Sequence, residues 1–127
     1  MASLIHLDTH VVVWLWTADR KRLRPLRTAI EQHDLVYSPM VELELEYLHE
    51  VGRLKPVATT ILHSLADTIG LSRCAVDFGD TVSRARQLTW TRDPFDRLIV
   101  ATALVADAEL LTCDKTILSN FDRARAK

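Results

Sequence analysis

The sequence predicts an α/β protein: a parallel sheet covered on both faces by helices, in one domain over residues 1–127. Two observations predict it. Short β-type runs alternate along the chain with longer segments of helical periodicity, and strands separated by helices pair in parallel with the helices packed on either side. A chain of 127 residues also fits a single core, and no internal repeat, low-complexity stretch or long linker divides it.

Each element has its own signal. Leu4–Leu7 is a β-type run, and Asp8-Thr9 after it is a helix start. The helix over His10–Thr17 carries three valines and two tryptophans and is expected to be buried. Residues 20–32 read as a second, basic helix with Leu23, Leu26 and Ile30 at helical spacing. Leu35–Tyr37 is a second strand. Ser38-Pro39 opens the next helix, serine as N-cap and proline at the first helical position, and Gly52 suits its C-terminal end. A helix from Pro56 to Gly70 follows, then a strand over Leu71–Val76 and a helix over Phe78–Thr89. Asp93-Pro94 opens the most apolar helix, running to about Ala106. Glu109–Cys113 is the fourth strand, and a short helical tail ends the chain.

Bulk properties narrow the function. The chain is 48% hydrophobic and 26% charged, an ordinary globular balance rather than a disordered one. Its apolar runs, Val11–Trp16 and Leu98–Ala101 among them, are too short to cross a bilayer. The amino terminus lacks a basic segment followed by a long apolar one, so a cytoplasmic protein without a signal peptide is expected. Cys74 and Cys113 have neither zinc spacing nor disulfide density, and at strand ends they read as small hydrophobes. A net charge of −1 argues against binding nucleic acid through overall charge. Locally, Arg20, Lys21, Arg22, Arg24 and Arg27 form a basic run, while acids crowd residues 42–50.

The carboxylates carry the chemistry. Ligands of open α/β sheets sit at the carboxyl ends of the strands. Asp8 directly follows the first strand and Asp114 the fourth, although either also suits a helix cap. Glu44 is more telling. At about 100° per residue with Val41 at zero, Leu45, Leu48 and Val51 form the buried stripe, and Glu44 falls at about −60°, inside it. Glu42, Glu46 and Glu50 fall on the opposite, solvated side. A carboxylate on a buried face needs compensation, either from a cation or from an arginine that it reaches. Asp96, the third residue of a helix capped by Asp93, has capping-box geometry and also suits the helix dipole. That helix is apolar on nearly every face, however, which places its amino end deep beside the sheet edge. Converging carboxylates repel: a pair about 4 Å apart costs about 4 kcal/mol at an effective dielectric of 20. All-oxygen donors without histidine or cysteine suit Mg²⁺ or Mn²⁺ rather than zinc, and acids with hard cations are the apparatus of phosphodiester hydrolysis.

Four segments, LDTHV at 7–11, SPMVELELEYL at 38–48, DPFDRLIVATAL at 93–104 and LLTCD at 110–114, together resemble the PIN-domain ribonucleases over almost the whole chain. The likeness is to the VapC-type toxins of prokaryotic toxin–antitoxin pairs. It implies a four- to five-stranded parallel sheet in a three-layer PIN-like fold, an endoribonuclease activity on RNA, a homodimer and a cognate antitoxin partner. It places the catalytic, metal-holding acids at Asp8, Glu44, Asp96 and Asp114, with Thr9 and Thr112 orienting ligands or water. Asp93 reads as a cap first and an outer ligand second. One departure is that Glu42 and Glu46 flank Glu44, where the family usually carries a single acid; the helical-face argument selects Glu44.

For RNA phosphates the candidates are Arg20 to Arg27, Arg92, Arg97, Arg123, Arg125 and Lys127, each equally suited to a solvated face. Trp14 and Trp16 read as core, Trp90 as the better base-stacking residue, and His10, beside Asp8, as a surface or core histidine first and a residue approaching the metal second. Three rivals remain. A haloacid dehalogenase-like phosphatase would need an acid two residues after Asp8, where this chain has His10. A catalytically inactive PIN-like binding module would have no use for Glu44 on a buried face. A nuclease acting on DNA differs only in the sugar, and the preference for RNA rests on the resemblance.

Overall fold

The computed structural model describes residues 3–127. Five parallel strands form one sheet, β1 (Leu4–Leu7), β2 (Asp34–Tyr37), β3 (Ser72–Arg73), β4 (Glu109–Leu111) and β5 (Ala124–Arg125), in the order β3-β2-β1-β4-β5. Successive residues of β1 and β2, pointing to opposite faces, are alike buried: Ile5, His6 and Leu7, then Leu35, Val36 and Tyr37. Helices therefore cover both faces, as expected of a parallel sheet.

Eight helices link and flank the strands: α1 (Thr9–Thr17), α2 (Arg20–Leu23), α3 (Arg27–Gln32), α4 (Pro39–Glu50), α5 (Ala58–Ile69), α6 (Phe78–Ala85), α7 (Pro94–Val105) and α8 (Lys115–Asn120). Helix α4 packs against α5 and α7, α1 against α4 and α5, α6 against α7, and α7 against β4. Ile5, Leu7, Val11, Leu45, Ile99 and Leu110 are fully buried and belong to one core cluster.

Several expected elements differ, among them the helix over Phe78–Thr89, which ends at Ala85, and the fourth strand, which ends at Leu111. The single helix over 20–32 is broken into α2, a 3₁₀ turn at Arg24–Leu26, and α3; Pro25 lacks an N–H and its ring clashes with the preceding turn. The strand expected over Leu71–Val76 shrinks to Ser72–Arg73, because β3 is an edge strand pairing only with Val36 and Tyr37. The helix expected from Pro56 begins at Ala58, where Glu46 Oε1 accepts the Ala58 N–H at 3.0 Å. The helical tail is α8 followed by β5, which adds the fifth strand beside β4. Cys113 lies past the end of β4 and is exposed rather than packed as a small hydrophobe.

Candidate active site

Counting outward from β1, the strand order reverses between β1 and β4, and such a switch point opens a crevice at the carboxyl ends of the strands. Here the chain sets Asp8 after β1 and Thr112 and Asp114 after β4, joined by a hydrogen bond from Asp8 N–H to the Leu111 carbonyl (3.0 Å). Asp8 is buried, and each of its carboxylate oxygens accepts one hydrogen bond. Its Oδ1 accepts from Thr9 N–H (2.8 Å) and its Oδ2 from the Thr112 hydroxyl (2.7 Å). The Thr112 hydroxyl in turn accepts from Asp114 N–H (3.0 Å), and Asp114 Oδ1 accepts from Thr116 and Ile117 N–H at the start of α8. One threonine thus sets the spacing of two acids.

Glu44 and Asp96 arrive from helices. Ser38 caps α4 and hydrogen-bonds Thr102 of α7 at 2.8 Å between buried hydroxyls, which fixes the two helices relative to each other. The Thr9 hydroxyl donates to Glu44 Oε1. Burial raises the Glu44 carboxyl above its usual range, the Thr9 hydroxyl partly offsets that, and the charges of Asp8 and Asp93 raise it further. Asp96 is pushed up to about 7, first by burial, then by Asp93, Asp8, Asp114 and Glu44. It stands within the field of every other acid of the group.

All four expected acids, with Asp93, line one cavity of about 530 Å³. Asp93 has two parts: its Oδ1 caps α7 through Phe95 N–H (2.8 Å) and Asp96 N–H (3.3 Å), while the residue also borders the cavity. Glu42 and Glu46 lie outside it; Glu42 pairs with Arg73 at 3.6 Å and Glu46 caps α5. Val51, expected in the buried stripe with Glu44, is 49% exposed, because α4 has ended by that point.

The donor set fits a hard divalent cation. Carboxylate oxygens from four chain segments border one cavity, and acids raised by burial and by one another are relieved when a cation sits among them. As they are placed, no three His, Cys, Asp or Glu side chains among the described residues are close enough together to hold a metal ion, so a cation bound there would have to draw the acids together.

Apart from His10 and Arg22, the rest of the cavity lining was not foreseen. His10, Val13 and Trp14 of α1 line the cavity, as do Leu48 and, beyond Gly52, Arg53 and Leu54. Gly52 takes a left-handed φ of +81°, and the Arg53 N–H returns to the Leu48 carbonyl at 2.8 Å. That reversal turns Arg53 and Leu54 back to the cavity. Trp90, the expected stacking residue, is half-buried on the core, as Trp14 is, but it does not border the cavity. His10 Nε2 accepts from Cys113 N–H (2.8 Å), which leaves Nδ1 to carry the hydrogen, 3.7 Å from Asp8 Oδ2. Of the expected phosphate binders only Arg22 borders the cavity. Arg97 donates to the Thr91 carbonyl, while Arg123 and Arg125 pair with Asp107 and Glu109.

A parallel sheet with acids gathered at its switch point defines the class, and comparison with known proteins supplies the family. The chain belongs to the PIN domain family, whose model matches residues 5–125. It is similar to Ribonuclease VapC22 of Mycobacterium tuberculosis, with 28% identity over 125 residues, 93% of this chain and 92% of that protein. In fold it is similar to the crystal structure of VapBC2 from Rickettsia felis bound to a DNA fragment from their promoter, with a TM-score of 0.66 and 16% identity, covering 96% of this chain and 97% of that one.

Proposed function

We propose that the protein is a Mg²⁺- or Mn²⁺-dependent endoribonuclease acting as the toxin of a toxin–antitoxin pair. The observation that carries this reading is the meeting of Asp8, Glu44, Asp96 and Asp114 in one cavity at the switch point of a PIN-domain sheet. The similarity to a protein named as a ribonuclease favours RNA as the substrate.

The four acids would hold the cation, with Asp93 beside them. Bound there, the cation supplies charge compensation and Lewis-acid polarisation of phosphate and water. The chain's own part is to keep the carboxylates in place. Thr112 and Thr9 N–H hold the two oxygens of Asp8, the Thr9 hydroxyl holds Glu44, and the first turn of α8 holds Asp114. Asp96, its carboxyl pushed up to about 7 by burial and the other acids, would be the acid whose charge a cation held there most relieves. Arg22 and Arg53, bordering the same cavity, offset the acids' repulsion of an incoming phosphate chain.

Two further assignments belong to this reading. The likeness in fold to a chain of VapBC2 supports an antitoxin as partner. Leu43, Tyr47, Val51, Val57 and Ile69, between 38% and 56% exposed over α4 and α5, support a homodimer through that face. No helix among the described residues is long and apolar enough to cross a membrane.

The test is cleavage of unstructured RNA by the purified protein. Cleavage with Mg²⁺ or Mn²⁺ that stops in EDTA and leaves 5′-phosphate and 3′-hydroxyl ends is the expected result. Undiminished cleavage in EDTA, or 2′,3′-cyclic phosphate ends, would overturn the mechanism. DNA of the same sequence serves as the comparison substrate.

A further inference from the structure

Beside the acids, the cavity lining is aromatic, apolar and basic. Trp14 lies with the His10 ring at 4.9 Å between centroids and 54° between planes, and the Arg22 guanidinium sits over the indole at 5.5 Å. Val13, Leu48 and Leu54 continue the wall, and Arg53 stands exposed at its rim. Arg22 is bound to Asp19 at 3.6 Å with its side chain 63% exposed, a pairing too weak to hold it against a better anion. An aromatic plane, an apolar surround and two guanidinium groups together match an unpaired nucleotide: bases stack on indole and guanidinium planes, while the flanking phosphates take the charge. The acids exclude phosphate from their own side unless a cation is present, so the strand's approach lies along the Arg22 and Arg53 rim. At about 530 Å³ the cavity is within the ~300–1,000 Å³ range of small-ligand sites, with room for a nucleotide beside the acids.

We propose that Trp14, with Arg22 above it and Val13, Leu48 and Leu54 around it, is a base-stacking subsite for one unpaired nucleotide of the RNA substrate, next to the scissile phosphate, with Arg53 on the neighbouring phosphate. The proposal rests on the ribonuclease reading and makes it specific: one base of the substrate is held at Trp14. Trp14 positions the strand and takes no part in the chemistry.

The experiment uses Asp96→Asn protein with Mg²⁺, to suppress cleavage, and a fluorescent single-stranded oligoribonucleotide of mixed sequence. Each nucleotide in turn is replaced by an abasic one. Removing one particular base weakens binding about tenfold, the scale of one lost stacking contact. Trp14→Ala weakens the intact strand by the same factor and no longer distinguishes it from the abasic strand, Trp14→Phe restores the distinction, and a duplex of the same sequence binds more weakly than the strand. Binding quenches tryptophan emission in the Trp14 protein but not in Trp14→Phe, where Trp16 and Trp90 remain. A flat abasic scan overturns the subsite even if Trp14→Ala fails to fold, because the scan leaves Trp14 in place. Equal loss on intact and abasic strands in Trp14→Ala also overturns it, as does the absence of binding to any strand. Wild-type protein that cleaves RNA with a flat scan leaves the nuclease standing without the subsite. Base-dependent binding without cleavage by wild type leaves the subsite and removes the nuclease.

Discussion

The acids of the cavity fall into two kinds. Asp8, Asp93 and Asp114 are tied by backbone N–H groups at helix starts, Asp8 also by a hydroxyl. Glu44 has only the Thr9 hydroxyl, and Asp96 is half-buried, raised to about 7 and surrounded by the other four. The first kind is anchored whether or not a cation is present, since a helix start stabilises negative charge by itself. The second kind bears the cost of the cluster. A site divided this way keeps its shape while empty and concentrates its strain on the residues that a cation relieves.

Removing charge tests the division most severely. Asp8→Asn, Asp96→Asn, Asp114→Asn and Glu44→Gln should each lower RNA cleavage at least about a hundredfold, because each removes charge that a hard cation needs. They should differ in stability. The folded-state carboxyl of Asp96 is raised from 3.8 to about 7, so the folded protein binds a proton there that the unfolded chain has released. Metal-free stability therefore falls as pH rises from about 4 to 7, and Asp96→Asn should be the more stable protein above pH 7. Urea titrations in EDTA at pH 5 and 8 check this. An Asp96→Asn protein less stable than wild type at pH 8 would erase the distinction between anchored and loaded acids.

His6 sharpens the comparison by lacking any anchor. On β1, two residues before Asp8, it is 1% exposed, and neither ring nitrogen has a hydrogen-bond partner. Burial lowers its pKa from 6.5 to about 4. Between those values the unfolded chain holds a proton that the folded protein refuses, so stability is full above pH 6.5 and is lost as pH falls toward 4, by on the order of 3 kcal/mol. Asp96 acts with the opposite sign over the same window, so the diagnostic quantity is the difference between His6→Leu and wild type. That difference should favour the leucine variant increasingly from pH 7 to pH 4.5 in metal-free urea titrations. A constant difference would mean that His6 is protonated in the folded state or that a partner relieves it.

How much of this was written in the sequence depends on whether local periodicity or chain reversal set each position. Asp8 and Asp114 follow strands, and Glu44 sits at a computable angle on α4, so their gathering could be read from pattern and resemblance. The double part of Asp93 was half legible, since the cap signal is local but its place on the cavity wall is not. Trp14 reads as core because α1 is apolar nearly all round, and it does pack on the core; that its half-exposed side also borders the cavity could not be read, because nothing local says which side the core leaves uncovered. Arg53 was invisible because its position depends on the left-handed turn at Gly52. The strand over Leu71–Val76 has the right residues but pairs with only the last two residues of β2, and β5 is too short to carry a periodicity at all. Cys113 was misread for a related reason: β4 ends at Leu111, and the next residues turn into the site.

The threonines test whether anchoring itself matters. Thr112 holds Asp8 and receives the Asp114 N–H, and Thr9 holds Glu44. Thr112→Val and Thr9→Val keep the shape and remove the hydroxyl. Each should lower cleavage about 10- to 100-fold, the usual effect of losing a group that orients a metal ligand. Thr112→Ser should recover most of the loss, and Thr112→Ser as poor as Thr112→Val would show that packing of the methyl group matters rather than the hydrogen bond.

Asp114 separates anchor from ligand within one side chain. Its Oδ1 caps α8 at two N–H groups, and the residue borders the acid cavity. Asparagine caps a helix about as well as aspartate, whereas alanine does not cap and costs about 1 kcal/mol. Asp114→Asn should therefore unfold at the wild-type urea midpoint and lose cleavage. Asp114→Ala should lose cleavage to the same degree and also about 1 kcal/mol of stability. Mg²⁺ should raise the midpoint of the wild-type protein, because a ligand bound only by the folded state stabilises it, and the rise should be smaller in both variants. If Asp114→Asn retains both cleavage and the Mg²⁺ response, the residue is a cap alone, and the cation is held by Asp8, Glu44 and Asp96 with Asp93. If Asp114→Ala matches Asp114→Asn in stability, α8 is held by Ile117, which is fully buried, and the carboxylate is free for the cation.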